Sequence, residues 1–208
     1  MTLLKSKILM MIGNDIIDRG YACKESNWRR KGFLKKIFTP CEQELIHGAS
    51  DPFTTVWRLW SMKESAYKLF MHTGVERFFN PRRLSCEFSS SEEGLVNIEA
   101  LQIHTRSKIH PKFIFTSASS ICRVETMDHV FNLSKTDPRF QSKFTHRAML
   151  ECIAQKYHLN KEKLYIRKSD QSVPEVFYGK QRLNISVSMT HHGYHGAFSI
   201  CERKFIPQ

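Results

Sequence analysis

No two cysteines of this chain stand close enough to form a CxxC pair. The six lie at positions 23, 41, 86, 122, 152 and 201, a spacing that suggests neither a zinc site nor a redox motif. A reducing cytoplasm is the expected setting. Also missing is any segment approaching the ~20 apolar residues of a membrane span. The N-terminal MTLLKSKILMMIGND holds an apolar run too short for a signal-peptide core. A soluble intracellular protein with no membrane partner is therefore expected. Acidic residues are in short supply as well: 20 Asp+Glu face 32 Lys+Arg, for a net charge of +12. Such a field attracts phosphates, nucleic acid, anionic lipid or an acidic protein, and does not choose among them. The positive charge is spread over WRRKGFLKK, NPRRL and KEKLYIRK, which predicts a broad basic face rather than a basic arm.

What is present is the composition of a folded protein. Hydrophobic residues make up 41% and charged residues 25% of 208, enough for one sizeable core or for two lobes of roughly 100 residues each. Residues 8–17, ILMMIGNDII, read as a buried strand. In FTPCEQELI, Thr39 precedes Pro40 and Glu42 follows three residues later, a capping box at a helix start. TTVWRLWSMKESAYKLFMHTG carries apolar residues at 56, 59, 60, 67 and 70 and predicts an amphipathic helix stopped at Gly74. After NPRRL, the runs LSCEF, LVNIEALQI and KFIFTSASSICRVE predict three strands. NLSKTDPRF reads as a connector and THRAMLECIAQKYHL as a helix. LYIRK, VPEVF, LNISVSM and GAFSI read as closing strands. The order predicts an α+β protein in two lobes.

Three places carry candidate chemistry. Asp15 is predicted at the end of its strand, at a sheet edge facing solvent, either as a rigidly held carboxylate or as a turn former. Trp60, Glu64 and Lys68 recur at i, i+4 and i+8, so a helix lines them along one face. By itself this is equally a solvated Glu–Lys pair worth about 0.2–0.5 kcal/mol to the helix. In ISVSMTHHGYHGAF, His191 and His192 point to opposite faces of a strand and so do not chelate one ion together. A lone imidazole donating to a phosphate, or a satisfied surface histidine, are the readings left.

Taken jointly, GNDIID, WSMKESAYK and SMTHHG resemble the 4′-phosphopantetheinyl transferase superfamily. Its signature is a G-x-D strand, a W-x-x-K-E-S-x-x-K helix and an S-H-x-G strand. FTPCE before the helix, NPRRLSCEF after it and PEV ahead of the histidine strand extend the likeness over most of the chain. The resemblance implies an α+β fold of two similar lobes forming a pseudo-dimer, residues 1–130 and 131–208, with one shared active site in a monomer. In surfactin-type members the histidine strand lies in the first half and the other two motifs in the second. Here that order is reversed, as a circular permutation would leave it. The small trimeric holo-acyl-carrier-protein synthases run their motifs in the present order in a shorter chain, so an insertion into that type is the rival layout. KFIFTSASSICRV, which looks like a degenerate copy of the closing strand, favours the permutation.

The resemblance also implies the chemistry: transfer of 4′-phosphopantetheine from coenzyme A to a serine of an apo acyl or peptidyl carrier protein, with Mg2+, releasing adenosine 3′,5′-bisphosphate. This is holo-acyl-carrier-protein synthase activity, of the kind that serves fatty acid, polyketide or peptide synthesis. By motif position Asp15 and Glu64 are the metal ligands. Ile17 stands where some members have a third carboxylate, and a water is expected there. Asp18 faces the other way on a regular strand. Glu64, or a water beside the metal, is the expected base, and Lys68 contacts the phosphates. Lys63 adjoins the site but lies about 100° round the helix. His191 matches the histidine that contacts the 3′-phosphate of coenzyme A, and Arg147 or its neighbour His146 matches a basic residue of the same pocket. The WRRKGFLKK stretch either steers acidic carriers or is a solvated face. Two other readings stand beside this one. A basic nucleic-acid-binding module leaves the three motifs unexplained, and under the transferase reading no nucleic-acid partner is expected. A lapsed transferase would bind coenzyme A without transferring its arm.

Overall fold

Every position of the first strand, β1 (Ile12–Asp18), is buried, because one of its faces lies under a helix and the other against a second sheet. The computed structural model describes residues 11–122, 124–169 and 173–203. Positions 8–10 of the expected strand lie outside the described residues. Four helices follow: α1 (Arg19–Glu25), α2 (Phe33–Ile37), α3 (Pro40–Gly48) and α4 (Pro52–Met71). The expected capping box opens α3. Thr39 Oγ1 accepts from Glu42 N at 3.3 Å, and Glu42 Oε2 accepts from Thr39 N at 2.8 Å. α4 ends three residues before Gly74, which holds a left-handed φ of 82°.

Beyond α4 come β2 (Ser85–Phe88), β3 (Glu93–Ile98), β4 (Leu101–Ile109) and β5 (Phe113–Ser119). They join β1 in an antiparallel sheet of order β1-β5-β4-β3-β2. There are four strands here and not the expected three. LVNIEALQI breaks at Glu99, whose φ is 53°, in a turn without the Asn-Gly or Asp-Gly that announces a tight hairpin.

β6 (Met127–Asn132) was not expected, since its positions are partly or wholly exposed and show no alternation. Then follow α5 (Pro138–Tyr157), β7 (Leu164–Lys168), β8 (Pro174–Tyr178), β9 (Gln181–Arg182), β10 (Ile185–His192) and β11 (His195–Glu202). These make a β10-β11-β6 sheet and a β7-β8-β9 sheet. A division at residue 130 would cut β6, which pairs along its length with β11. The change from one set of strands to the other falls between Ser119 and Met127 instead.

With α1–α3 and β9 set aside, the remaining elements run in the same order twice. β1, α4, a 3-10 turn at Pro81–Arg83, β2, β3, β4 and β5 are followed by β6, α5, a 3-10 turn at Lys161–Lys163, β7, β8, β10 and β11. Both long helices have 20 residues, an Asp N-cap (Asp51, Asp137) and a proline in the first turn. Both 3-10 turns are capped by an asparagine side chain, Asn80 and Asn160. In each set the first strand pairs antiparallel with the last.

The α4 face bearing Leu59, Met62, Ala66 and Phe70 packs on Val96, Ile103 and Ile114 of the five-stranded sheet. Met149 and Ile153 of α5 pack on Val176, Val187, Phe198 and Ile200. Ile16, Phe115 and Ala197, from β1, β5 and β11, form a third, smaller cluster. Beside them Asn14 forms a buried polar lock. Its N–H donates to Ser188 Oγ at 3.0 Å, its Nδ2 donates to Ser199 Oγ at 3.1 Å, and its Oδ1 accepts from Ser188 Oγ at 2.8 Å. Fully paired buried polar groups of this kind fix register. No described helix is long and apolar enough to cross a membrane.

Candidate active site

The glycine of GND decides how closely β1 can approach α4. A Cβ on Gly13 would lie 2.0 Å from the backbone oxygen of Ser65, so only glycine lets the strand rest on the helix backbone. This contact brings Asp15 to Glu64 and Lys68. Asp15 is not at the end of its strand facing solvent, as its sequence position suggested. It is the fourth of seven strand residues, 8% exposed, and faces α4.

Lys68 Nζ donates to Asn14 O at 2.7 Å and stands 3.5 Å from Asp15 Oδ1. Thr190 Oγ1, from β10, donates to the same oxygen at 3.3 Å. The other oxygen, Oδ2, is buried without a protein hydrogen-bond partner. One turn before Lys68, Glu64 has its pKa pushed up to about 7, by burial first and by the charge of Asp15 second, with Lys68 opposing. Two carboxylates thus share a poorly solvated place with one ammonium, an arrangement short of positive charge. Among the described residues no group of three or more His, Cys, Asp or Glu side chains forms a ready metal cage. Asp15 and Glu64 are the hard oxygen donors on hand.

A cavity of about 570 Å3 opens beside Asp15, between α4, α5 and β10. Its wall includes Lys68, His72, Arg77, His146, Lys168 and His191, against one carboxylate, Asp15. Lys68, Arg77 and Lys168 give this wall more positive than negative charge. Burial pushes the His191 pKa down, helped by Lys68, His146 and His192. His146 is pushed down by burial and then by Lys168. His72 is pushed down to about 4 by burial and by Arg203. A larger cavity of about 1080 Å3, between α3, β2 and the β4–β5 turn, is lined mainly by apolar surface and touches none of these groups. The smaller one is the candidate because the charges converge there.

Two expected site residues are elsewhere. Lys63 is 1% exposed and paired at 2.8 Å with Glu42, itself 1% exposed. Its Nζ also donates to Pro81 O and Leu84 O, and Glu42 Oε1 accepts from Cys86 N at 2.7 Å. This ammonium ties α4 to α3 and β2 and does not reach the cavity, as its angular offset from Glu64 requires. Arg147 is largely exposed, 4.0 Å from Glu151 and over the ring of Phe144. Its neighbour His146 faces the cavity in its place, since consecutive helical residues diverge by about 100°.

His191 and His192 do diverge as expected. His191 lines the cavity, whereas His192 Nδ1 accepts from Asp18 N at 3.0 Å. Asp18 also faces away from Asp15. It caps α1 through Tyr21 N and accepts from Tyr194 N at 2.8 Å and His195 Nδ1 at 3.0 Å. Burial works against this carboxylate, but the Tyr194 and Tyr21 amides and the His195 ring outweigh it and hold its pKa low. Thr190, His72, Arg77 and Lys168 were not singled out by sequence. Thr190 shares a strand face with Ser188, the one signal available for it, and Lys168 sat in a basic stretch read only as surface.

The sequence model of one protein family, the 4′-phosphopantetheinyl transferase superfamily, matches residues 11–122, a span that holds Gly13, Asp15, Glu64 and Lys68. No curated protein matches the chain significantly. The match covers more than half of the 208 residues and coincides with the strand and helix that build the carboxylate pair, so the chain belongs to the 4′-phosphopantetheinyl transferase superfamily.

Proposed function

We propose that the protein transfers 4′-phosphopantetheine from coenzyme A to a serine of an apo acyl or peptidyl carrier protein, with Mg2+, as a holo-acyl-carrier-protein synthase does. The observation that carries this reading is the pairing of Asp15, buried on the wall of a cavity that Lys68, Arg77 and Lys168 also line, with the desolvated Glu64 carboxylate beside it. The pair fits a divalent ion. Asp15 Oδ2 is buried and unpaired, Glu64 is repelled by Asp15, and hard oxygens in small number suit Mg2+, which is commonly completed by water and substrate phosphate. When bound, the ion neutralises diphosphate charge.

The remaining steps belong to the chain's own residues. Lys168, His146, His191 and Arg77 are the candidates for holding the phosphates and adenosine end of coenzyme A. The carrier serine oxygen forms a new bond to the phosphorus bearing pantetheine as the diphosphate P–O bond breaks, and adenosine 3′,5′-bisphosphate leaves. The serine proton passes to Glu64 or to a water beside it, and Lys68 steadies the departing charge. Positioning and charge complementarity do most of the work in such transfers.

The two repeats of element order are the two lobes of a circularly permuted pseudo-dimer in this reading. It is supported by the shared helix length, caps and strand pairing and by the cavity lying between α4 of one repeat and α5 and β10 of the other. A site completed within one chain needs no second subunit, so a monomer is expected. Six cysteines with no CxxC pair fit a reducing cytoplasm. The basic stretch from Arg29 to Lys36 suits the acidic surface of a carrier. Intact-mass measurement of an apo carrier protein incubated with the protein, coenzyme A and Mg2+ tests the proposal. A gain of one phosphopantetheine group is expected. An unchanged mass with coenzyme A bound would indicate a lapsed transferase, and salt-sensitive DNA binding with no mass gain a nucleic-acid module.

A further inference from the structure

β1 and β10 belong to different sheets, yet the proposed site needs Asp15 of one and His191 of the other at a set separation. Side-chain bonds at three levels define their register. Asn14 bonds Ser188, Asp15 accepts from Thr190, and the Asp18 N–H donates to His192 Nδ1 at 3.0 Å. Thr190 and His192 share one face of β10 and are both tied to β1. His191, between them, is thereby aimed into the cavity.

The last of these ties is reinforced from around the β10–β11 turn. Asp18 Oδ2 accepts from Tyr194 N and His195 Nδ1, Gln141 Nε2 from α5 donates to Gly193 O at 2.7 Å, and Tyr21 stands edge-on to His192 at 5.5 Å. Gly193 has a φ of 56°, and a Cβ there would lie 2.6 Å from Asp18 Oδ2. The turn is therefore seated on the end of β1. For Nδ1 to accept, the His192 ring must be neutral with its proton on Nε2. Burial, the largest influence on this ring, favours that form.

We infer that His192 is a positioning residue of the coenzyme A site: its Nδ1, by accepting the Asp18 N–H, fixes the height of β10 on β1 and so holds His191 in the cavity that Lys68 also lines. The inference rests on the reading of His191 as a phosphate contact.

Two isosteres of His192 test it. An asparagine oxygen can stand where Nδ1 stands and accept the same N–H, whereas a glutamine amide reaches towards the place of Nε2 and leaves the Asp18 N–H unpaired. Calorimetry of coenzyme A binding with Mg2+ and hydrogen exchange of the Asp18 amide are measured on the full chain for wild type, His192→Asn, His192→Gln and His191→Ala. His192→Asn is expected to keep both amide protection and affinity near wild type. His192→Gln is expected to lose protection and to weaken coenzyme A by about tenfold, the scale of an unpaired buried donor. Exchange that rises in His192→Gln with affinity unchanged would make the bond merely structural and overturn the inference, as would equal weakening in both variants. Should His191→Ala bind coenzyme A as well as wild type, the reading of His191 fails instead and the inference falls with it.

Discussion

Asp15 and Lys68 meet across β1 and α4 at 3.5 Å through one carboxylate oxygen, while the second oxygen stays buried and unpaired. The site therefore holds one more negative oxygen than its own cations answer. Glu64 adds to that excess and carries its consequence in a pKa raised to about 7.

Replacing Glu64 by glutamine removes a charge and almost no volume. Transfer to a carrier protein is expected to fall by at least about 100-fold, the lower range for loss of a general base or a metal ligand, with the fold intact by circular dichroism. Turnover within tenfold of wild type would remove Glu64 from the mechanism.

The same residue sets a pH dependence. Its folded pKa, about 7, lies above the ordinary value of 4.5, so the protonated form is favoured by folding. The stability it contributes is present below about pH 4.5 and is lost as pH rises through about 7. In metal-free protein, thermal midpoints of wild type relative to Glu64→Gln should decline between those values. Mg2+ competes with that proton, so its affinity should rise over the same interval and its binding should release protons near neutrality. Mg2+ should raise the midpoint of wild type and not that of Asp15→Asn. A pH-independent difference, or equal stabilisation of both, would contradict this assignment.

Lys63 and Arg147 separate structure from binding. Breaking the buried Lys63–Glu42 pair with Lys63→Met is expected to destabilise by about 3–5 kcal/mol, because the Glu42 carboxylate is left buried without its counter-charge. Joint replacement with Glu42→Gln should recover part of that loss. Arg147→Ala should leave the KM for coenzyme A within twofold, while His146→Ala raises it several-fold. Chemical denaturation checks the first pair and steady-state kinetics the second.

Much of this was legible in sequence because it follows from local periodicity. The spacing of Glu64 and Lys68, the capping box of Thr39 and Glu42 and the divergence of His191 from His192 all depend on residues a few positions apart. Their partnerships do not. Nothing near Glu42 says that its carboxylate answers Lys63, or that the oxygen of Asp15 meets Thr190, 175 positions away. β6 escaped notice for a related reason. Its surroundings come from β11, so its own residues show neither alternation nor an apolar run. The turn at Glu99 lacks the residues that make a positive φ inexpensive.

Gly13 is the cheapest place to part the two carboxylates. Gly13→Ala sets a methyl group 2.0 Å from Ser65 O, and the backbone of β1 or α4 has to move. A loss of about 2–3 kcal/mol is expected from denaturant titration, together with a weaker Mg2+ response in whatever folded protein remains.

The most direct measurement is anomalous diffraction from crystals grown with coenzyme A and Mn2+ in place of Mg2+. The account predicts one strong peak between the carboxylates of Asp15 and Glu64, on the diphosphate of a coenzyme A whose 3′-phosphate lies at His191. Manganese bound elsewhere, with those two carboxylates bare beside bound coenzyme A, would contradict it.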